Sequence, residues 1–195
     1  MRAPASVPGR AVFLVGFMGA GKSSVGRALG QRLNWLFADL DERIERREGR
    51  TIAEIFRDSG EPAFRRVEHL ALRQVLEELR GGAARVVALG GGAFVQKENA
   101  ALLEAAGLPT VFLEAPVEEL WRRCRQQAGE SGAQRPLLTD KEQFRKLHQA
   151  RREGYLRAPL KVQTGHRTVD ETAAEIMEML GLKQIVVRSQ EGESE

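Results

Sequence analysis

Ala11-Val12-Phe13-Leu14-Val15 runs without interruption into Gly16-Phe17-Met18-Gly19-Ala20-Gly21-Lys22-Ser23, an apolar strand pattern feeding a glycine-rich turn. The spacing is that of G-x-x-x-x-G-K-[ST], in which backbone N–H groups wrap phosphates, the lysine reaches the β and γ oxygens and the hydroxyl meets Mg²⁺. Downstream, Val25, Ala28, Leu29 and Leu33 recur at i, i+3, i+4 and i+8, the period of a helix with one buried face. The turn therefore lies between a strand and a helix, and the helix N-terminus adds its positive dipole end to the cradle. A triphosphate is the ligand this junction suits.

The rest of the chain repeats the alternation. Strands are expected at 11–15, 35–38, 85–89, 109–113 and 159–163. Helices are expected at 22–33, 42–48, 51–58, 61–80, 98–106, 117–127, 141–157 and 170–180. Alternating βα units predict an α/β fold with a mainly parallel five-stranded sheet covered on both faces, since each parallel crossover needs a connecting helix. Ligands then gather at the carboxyl ends of the strands. The stretch 128–140 is polar, contains Gly129, Gly132 and Pro136, and carries Arg135 between two helical patterns, so it reads as a lid. Residues 1–10 and 183–195 read as frayed ends flanking one domain over 11–182.

Composition narrows the function. With 42% hydrophobic residues in 195, the chain can bury a sizeable core. Thirty basic residues are nearly offset by 27 acidic ones, and no basic block calls for a nucleic acid. No apolar run approaches a membrane span and no signal-peptide pattern opens the chain, so the cytoplasm is the expected compartment. The one cysteine, Cys124, shares a helical stripe with Val117, Leu120 and Trp121 and reads as a core filler.

A phosphate cradle does not name the second substrate, so the other strand ends matter. Phe37-Ala38-Asp39-Leu40-Asp41 closes the second strand with two carboxylates, which share a face if the strand persists. One suits metal-bound water and the other an acceptor hydroxyl; the bland alternative is that Asp41 caps the next helix. The third strand ends in Gly90-Gly91-Gly92 with no acidic residue, which returns the metal to Ser23 and Asp39 and lets the backbone approach a small ligand closely. Arg65 and Glu68 lie i, i+3 on an amphipathic helix whose inward side is read as Val67, Leu70, Ala71 and Leu79. They form either a surface pair or a carboxylate-binding fork held by Glu68. Arg151 interrupts the stripe Phe144, Leu147, Tyr155, and needs either an internal acid or a ligand anion. His69 and His148 read as structural, while His166 follows the last strand where a nucleotide base is held.

Taken together these residues resemble the shikimate kinase family, P-loop enzymes with the three-layer fold of nucleoside monophosphate kinases. The resemblance spans about 11–180. It rests on the cradle followed by Ser24-Val25-Gly26-Arg27, on Asp39-x-Asp41, Thr51-Ile52-Ala53-Glu54-Ile55-Phe56 and Gly60-Glu61, and on Phe64-Arg65-Arg66-x-Glu68. It continues through Leu89-Gly90-Gly91-Gly92-Ala93, Arg135-Pro136-Leu137-Leu138 and Arg151-x-x-x-Tyr155. It implies an ATP- and Mg²⁺-dependent enzyme that phosphorylates the 3-hydroxyl of shikimate in aromatic amino-acid (chorismate) biosynthesis, acting as a monomer. It also implies roles: Asp41 as base, Lys22 and Arg135 on the transferring phosphate, and Gly19, Ala20, Gly21, Lys22, Ser23 and Ser24 around the nucleotide phosphates. Ser23 and Asp39 hold the metal; Arg65, Arg151, Gly91 and Gly92 meet shikimate, which turns Arg151 toward a ligand; Arg123, His166 and Arg167 lie at the adenine end. The chain departs from the family pattern in a longer 123–135 segment, in Arg152-Glu153-Gly154 where a proline is common, and in Gln163 where an aspartate precedes Thr164. Other small-molecule or nucleotide kinases and an inactive nucleotide-binding module are the competing readings.

Overall fold

The computed structural model describes residues 11–131 and 140–184, with side chains described for 11–128 and 140–184. Arg135 and the rest of 132–139, the middle of the expected lid, lie outside the described residues, as do both chain ends. In chain order the elements are β1 (Ala11–Val15), α1 (Lys22–Leu33), β2 (Leu36–Asp39), α2 (Leu40–Glu48), α3 (Ile52–Arg80) and β3 (Arg85–Ala88). There follow α4 (Lys97–Ala105), β4 (Thr110–Glu114), α5 (Val117–Ser131), α6 (Lys141–Tyr155), β5 (Leu160–Gln163) and α7 (Val169–Met179).

The five strands form one sheet in the order β2-β3-β1-β4-β5, and every pairing is parallel. β1 lies at the centre, and all five of its residues are buried. The chain leaves β1 toward one edge of the sheet, while the connection from β3 crosses back over β1 to the other side. The crevice at the carboxyl ends of β1 and β3 is therefore where a ligand can enter. Right-handed crossovers place α1 and α7 together on one face and the remaining long helices on the other.

Local chemistry explains the element ends. α3 opens with a capping box, Thr51 accepting from the Glu54 N–H while the Glu54 carboxylate accepts from the Thr51 N–H. The two helices expected over 51–80 meet without a gap, the chain kinking at Gly60, where φ is 76° and ψ is 169°. Pro62 follows at the start of the second arm, where its missing N–H costs nothing. α7 carries the same kind of box, with Thr168 and Glu171. α5 runs four residues beyond the expected end, to Ser131.

One detail of the expected core differs. Leu70 is 46% exposed, because the buried stripe of α3 runs through Phe64, Glu68, Ala71, Leu72, Val75 and Leu79. A carboxylate, Glu68, takes a place on that stripe, and only a ligand pocket or a cation makes such burial affordable. Cys124 is buried among apolar neighbours as expected. Among the described residues no helix is long and apolar enough to cross a membrane.

Candidate active site

The cradle is built at the end of β1. Gly16 has φ 142°, and a side chain there would bring its Cβ to 2.6 Å from the Leu113 carbonyl of the neighbouring strand. Gly21, at φ 91°, caps α1 without any side-chain hydrogen bond, and no acidic residue follows in the first turn. The amides at the mouth of α1 thus have neither a capping side chain nor a competing carboxylate, which suits an anion. Lys22 Nζ donates to the Phe17 carbonyl at 3.0 Å, curling over the turn. Burial pulls its ammonium below the ordinary lysine value, while Asp41 and Asp39 oppose that fall.

The two carboxylates after β2 are not on one face of a strand. β2 ends at Asp39, which itself caps α2, its Oδ1 accepting from the Asp41 N–H at 3.0 Å. The cap thus falls to Asp39, and Asp41 is freed for the pocket. Asp39 Oδ2 accepts from Ser23 Oγ at 2.6 Å, joining the hydroxyl of the cradle to the end of β2. Asp41 Oδ1 is buried with no hydrogen-bond partner, and desolvation, followed by repulsion from Asp39, pushes this carboxyl up to about 7. Among the described residues no group of three or more His, Cys, Asp or Glu side chains could hold a metal. The oxygen pair Ser23 and Asp39 is a sparse, hard donor set that could hold Mg²⁺ beside substrate phosphates.

Across the pocket, Arg65 donates to Glu68 Oε2 at 2.9 Å and to Glu61 Oε1 at 2.8 Å. Glu68 is only 1% exposed, its Oε1 has no partner, and its carboxyl is raised chiefly by desolvation. The Arg65–Glu68 pair is therefore a buried fork at the pocket wall and not a surface ornament. Among the described residues no carboxylate forms an ion pair with Arg151, although its charge acts on the nearby Glu68. Its guanidinium reaches the Gly91 carbonyl at 3.4 Å and lies 5.9 Å from the centre of the Phe17 ring.

The glycine triplet supplies room rather than unusual backbone. A Cβ at Gly90 would meet Asp41 Oδ1 at 2.3 Å, one at Gly91 would lie 3.7 Å from Arg151, and one at Gly92 would meet Arg65 at 2.5 Å. Each glycine faces one of the three side chains expected to handle the acid substrate. Tyr155, fully buried, donates its hydroxyl to the Gly91 carbonyl. Its role as an anchor was not apparent in the sequence, although its spacing from Arg151 was. Gly154, just before Tyr155, has Val95 of the turn after the triplet 3.2 Å from a Cβ built on it. Gln163 pairs with Glu114 at 2.7 Å.

A single cavity of about 590 Å³ takes in the cradle, Asp39, Asp41, Arg65 and Arg151. Gly19, Gly21, Lys22, Ser23, Ser24, Gly91 and Gly92 also line it, whereas Ala20 is buried behind it. Phe17 ties the two halves together. It packs edge-on against Phe144 at 5.0 Å and His148 at 5.2 Å, so α6, which carries Arg151, is seated on the cradle itself. The residues expected at the adenine end stand apart from this cavity. Arg123 donates to the carbonyls of Thr164 at 2.6 Å and Gly19 at 3.5 Å, bracing the cradle against the loop after β5. His166 and Arg167 are exposed on that loop, with Arg167 paired to Glu175.

Comparison with known proteins bears on this geometry. The family model described as shikimate kinase matches residues 18–181. A shikimate kinase of Cereibacter sphaeroides is 41% identical over 93% of this chain and 88% of its own length. One of Geobacter metallireducens is 44% identical over 89% of this chain and 92% of its own. A solved shikimate kinase from Acinetobacter baumannii, in complex with shikimate, superposes with a TM-score of 0.77 at 32% identity, covering 89% of this chain and 94% of that one. With an intact phosphate cradle and two arginine-bearing helices around a single cavity, the chain belongs to the shikimate kinase family.

Proposed function

We propose that this chain transfers the γ-phosphoryl group of ATP to the 3-hydroxyl of shikimate, giving ADP and shikimate 3-phosphate. The observation that carries this reading is the cavity lined at once by Asp41, by the phosphate cradle and by the two arginines Arg65 and Arg151. Arg65, held by Glu68 and Glu61, presents a planar fork to the substrate carboxylate, and Arg151 meets the same anion from α6. Gly91 and Gly92 keep the floor of the pocket at backbone height so that a ring can lie against it. This seats the 3-hydroxyl beside the Asp41 carboxylate.

Asp41 takes the hydroxyl proton as the oxygen–phosphorus bond forms and the bond from the γ-phosphorus to the β–γ bridging oxygen breaks. A carboxyl raised to about 7 is well matched to that proton near neutral pH. Lys22 and the α1 amides hold the phosphates in line and accept the charge that shifts to the leaving oxygen. Ser23 and Asp39 would hold Mg²⁺, which when bound neutralises phosphate charge. Arg123, His166 and Arg167 are assigned to the adenine end.

A coupled ADP-release assay with and without shikimate tests the reading. Release that depends on shikimate is expected, with Arg65→Lys raising the shikimate KM by about tenfold or more because the planar fork is lost. Release indifferent to shikimate would overturn it.

A further inference from the structure

Because each glycine of the triplet abuts a substrate-handling side chain, the spacing between this turn and α3 sets the width of the acid pocket. Behind the turn, Ala93, Phe94, Ala100 and Leu103 share the buried apolar core with Ala71 and Leu72 of α3, so apolar packing sets part of that spacing. On the outer side of Arg65, between α3 and the start of α4, lies a groove of about 290 Å³ lined by Arg65, Arg66, His69, Leu70, Gln96 and Asn99. What spans the gap is a polar chain. Asn99, third residue of α4 and 1% exposed, donates its Nδ2 to the Ala93 carbonyl at 3.0 Å, and its Oδ1 lies 2.7 Å from His69 Nδ1.

The roles follow from the donor inventory. With the Asn99 amide nitrogen committed to a carbonyl, its oxygen faces the imidazole, so His69 must carry a proton on Nδ1. That contact persists whether the ring is neutral or charged, since both forms can donate there. His69 follows Glu68 directly and sits one helical turn beyond Arg65, while Ala93 follows Gly92, whose missing side chain is filled by the Arg65 guanidinium. The linkage closes on itself: Arg65, Gly92, Ala93, Asn99, His69, and back through one turn of α3 to Arg65.

We propose that His69 and Asn99 are a positioning pair for the acid substrate, holding the glycine turn at a fixed distance from Arg65 and Glu68. The proposal rests on the function proposed above. Neither residue touches substrate; both act through the turn. Loss of either lets the turn drift into the groove, loosening Arg65 and the backbone of Gly91 and Gly92 without disturbing the cradle, which is anchored separately by Phe17 and Arg123.

The test is steady-state kinetics on the intact enzyme with each substrate varied in turn, for wild type, Asn99→Ala, His69→Ala and His69→Asn. The asparagine amide can donate from nearly the position of the imidazole Nδ1. Both alanine variants are expected to raise the shikimate KM about tenfold and leave the ATP KM within about twofold, a size consistent with sub-ångström misplacement. His69→Asn is expected to stay within about threefold of wild type, and the double alanine variant to be no worse than either single, since both cut one linkage. A shikimate KM unchanged in folded variants, or equal losses for both substrates, would overturn the proposal. If Asn99→Ala does not fold, His69→Ala, at a half-exposed position, still decides it, and ¹⁵N–¹H correlation of the wild-type imidazole must show the Nδ1–H form. Wild type inactive on shikimate would bring down the proposed function as well; wild type active with unaffected variants would remove only the positioning role.

Discussion

Replacing Asp41 with asparagine separates the chemistry of the site from the stability it costs. The carboxyl is raised from its ordinary 3.8 to about 7, chiefly by desolvation and then by Asp39. The folded protein therefore holds this proton more tightly than the unfolded chain does. The stability this group leaves intact below pH 3.8 is lost as pH rises through about 7. At about 1.36 kcal/mol per tenfold change in proton affinity, the charged form costs on the order of 4 kcal/mol above that pH. An asparagine of the same shape carries no charge to desolvate. Asp41→Asn is thus expected to match wild-type stability near pH 4 and to exceed it by on the order of 4 kcal/mol at pH 8.5, a Tm higher by about 10 °C for a chain of this size. In the same preparation turnover is expected to fall by a factor of about 10² to 10⁴, the worth of a general base, with ATP affinity nearly intact. Thermal melts of both proteins across this pH range, paired with the ADP-release assay, make the measurement. A Tm difference that stays constant with pH would refute the electrostatic argument, and retained turnover would remove Asp41 from the reaction.

Two further outcomes follow from the same geometry. The kcat/KM for shikimate is expected to rise with pH through about 7 and then level off as Asp41 ionises in the free enzyme, which a pH profile from 5 to 9 reads directly. Gly92→Ala places a methyl 2.5 Å from Arg65 Nη1, a flexible end that can swing off Glu68. Its shikimate KM should rise at least about tenfold while its Tm stays within about 3 °C of wild type and its ATP KM holds; an unchanged shikimate KM would show that Arg65 does not need its present position.

The sequence by itself determined the parts governed by local periodicity and by a contiguous motif. The buried strand Ala11–Val15, the turn Gly16–Ser23 and the apolar face of α1 are neighbours in the chain, so their spacing alone dictated a strand, a phosphate cradle and a helix. Arg65 and Glu68 were legible as a pair because three residues on a helix put them side by side. Tertiary structure decided what depends on residues distant in sequence. The partnership of Asp39 with Ser23 requires β2 and the start of α1 to meet, and it was the cap at Asp39, invisible in a strand-like reading of Phe37–Asp41, that released Asp41 into the pocket. Whether Arg151 faced an internal acid or a cavity was undecidable from its helical stripe, since the answer lies 60 residues away at Gly91. The anchoring of the glycine turn by Tyr155 and Asn99, and the inward turn of Glu68 in place of Leu70, arise from packing between elements, for which a single chain carries no periodic signal.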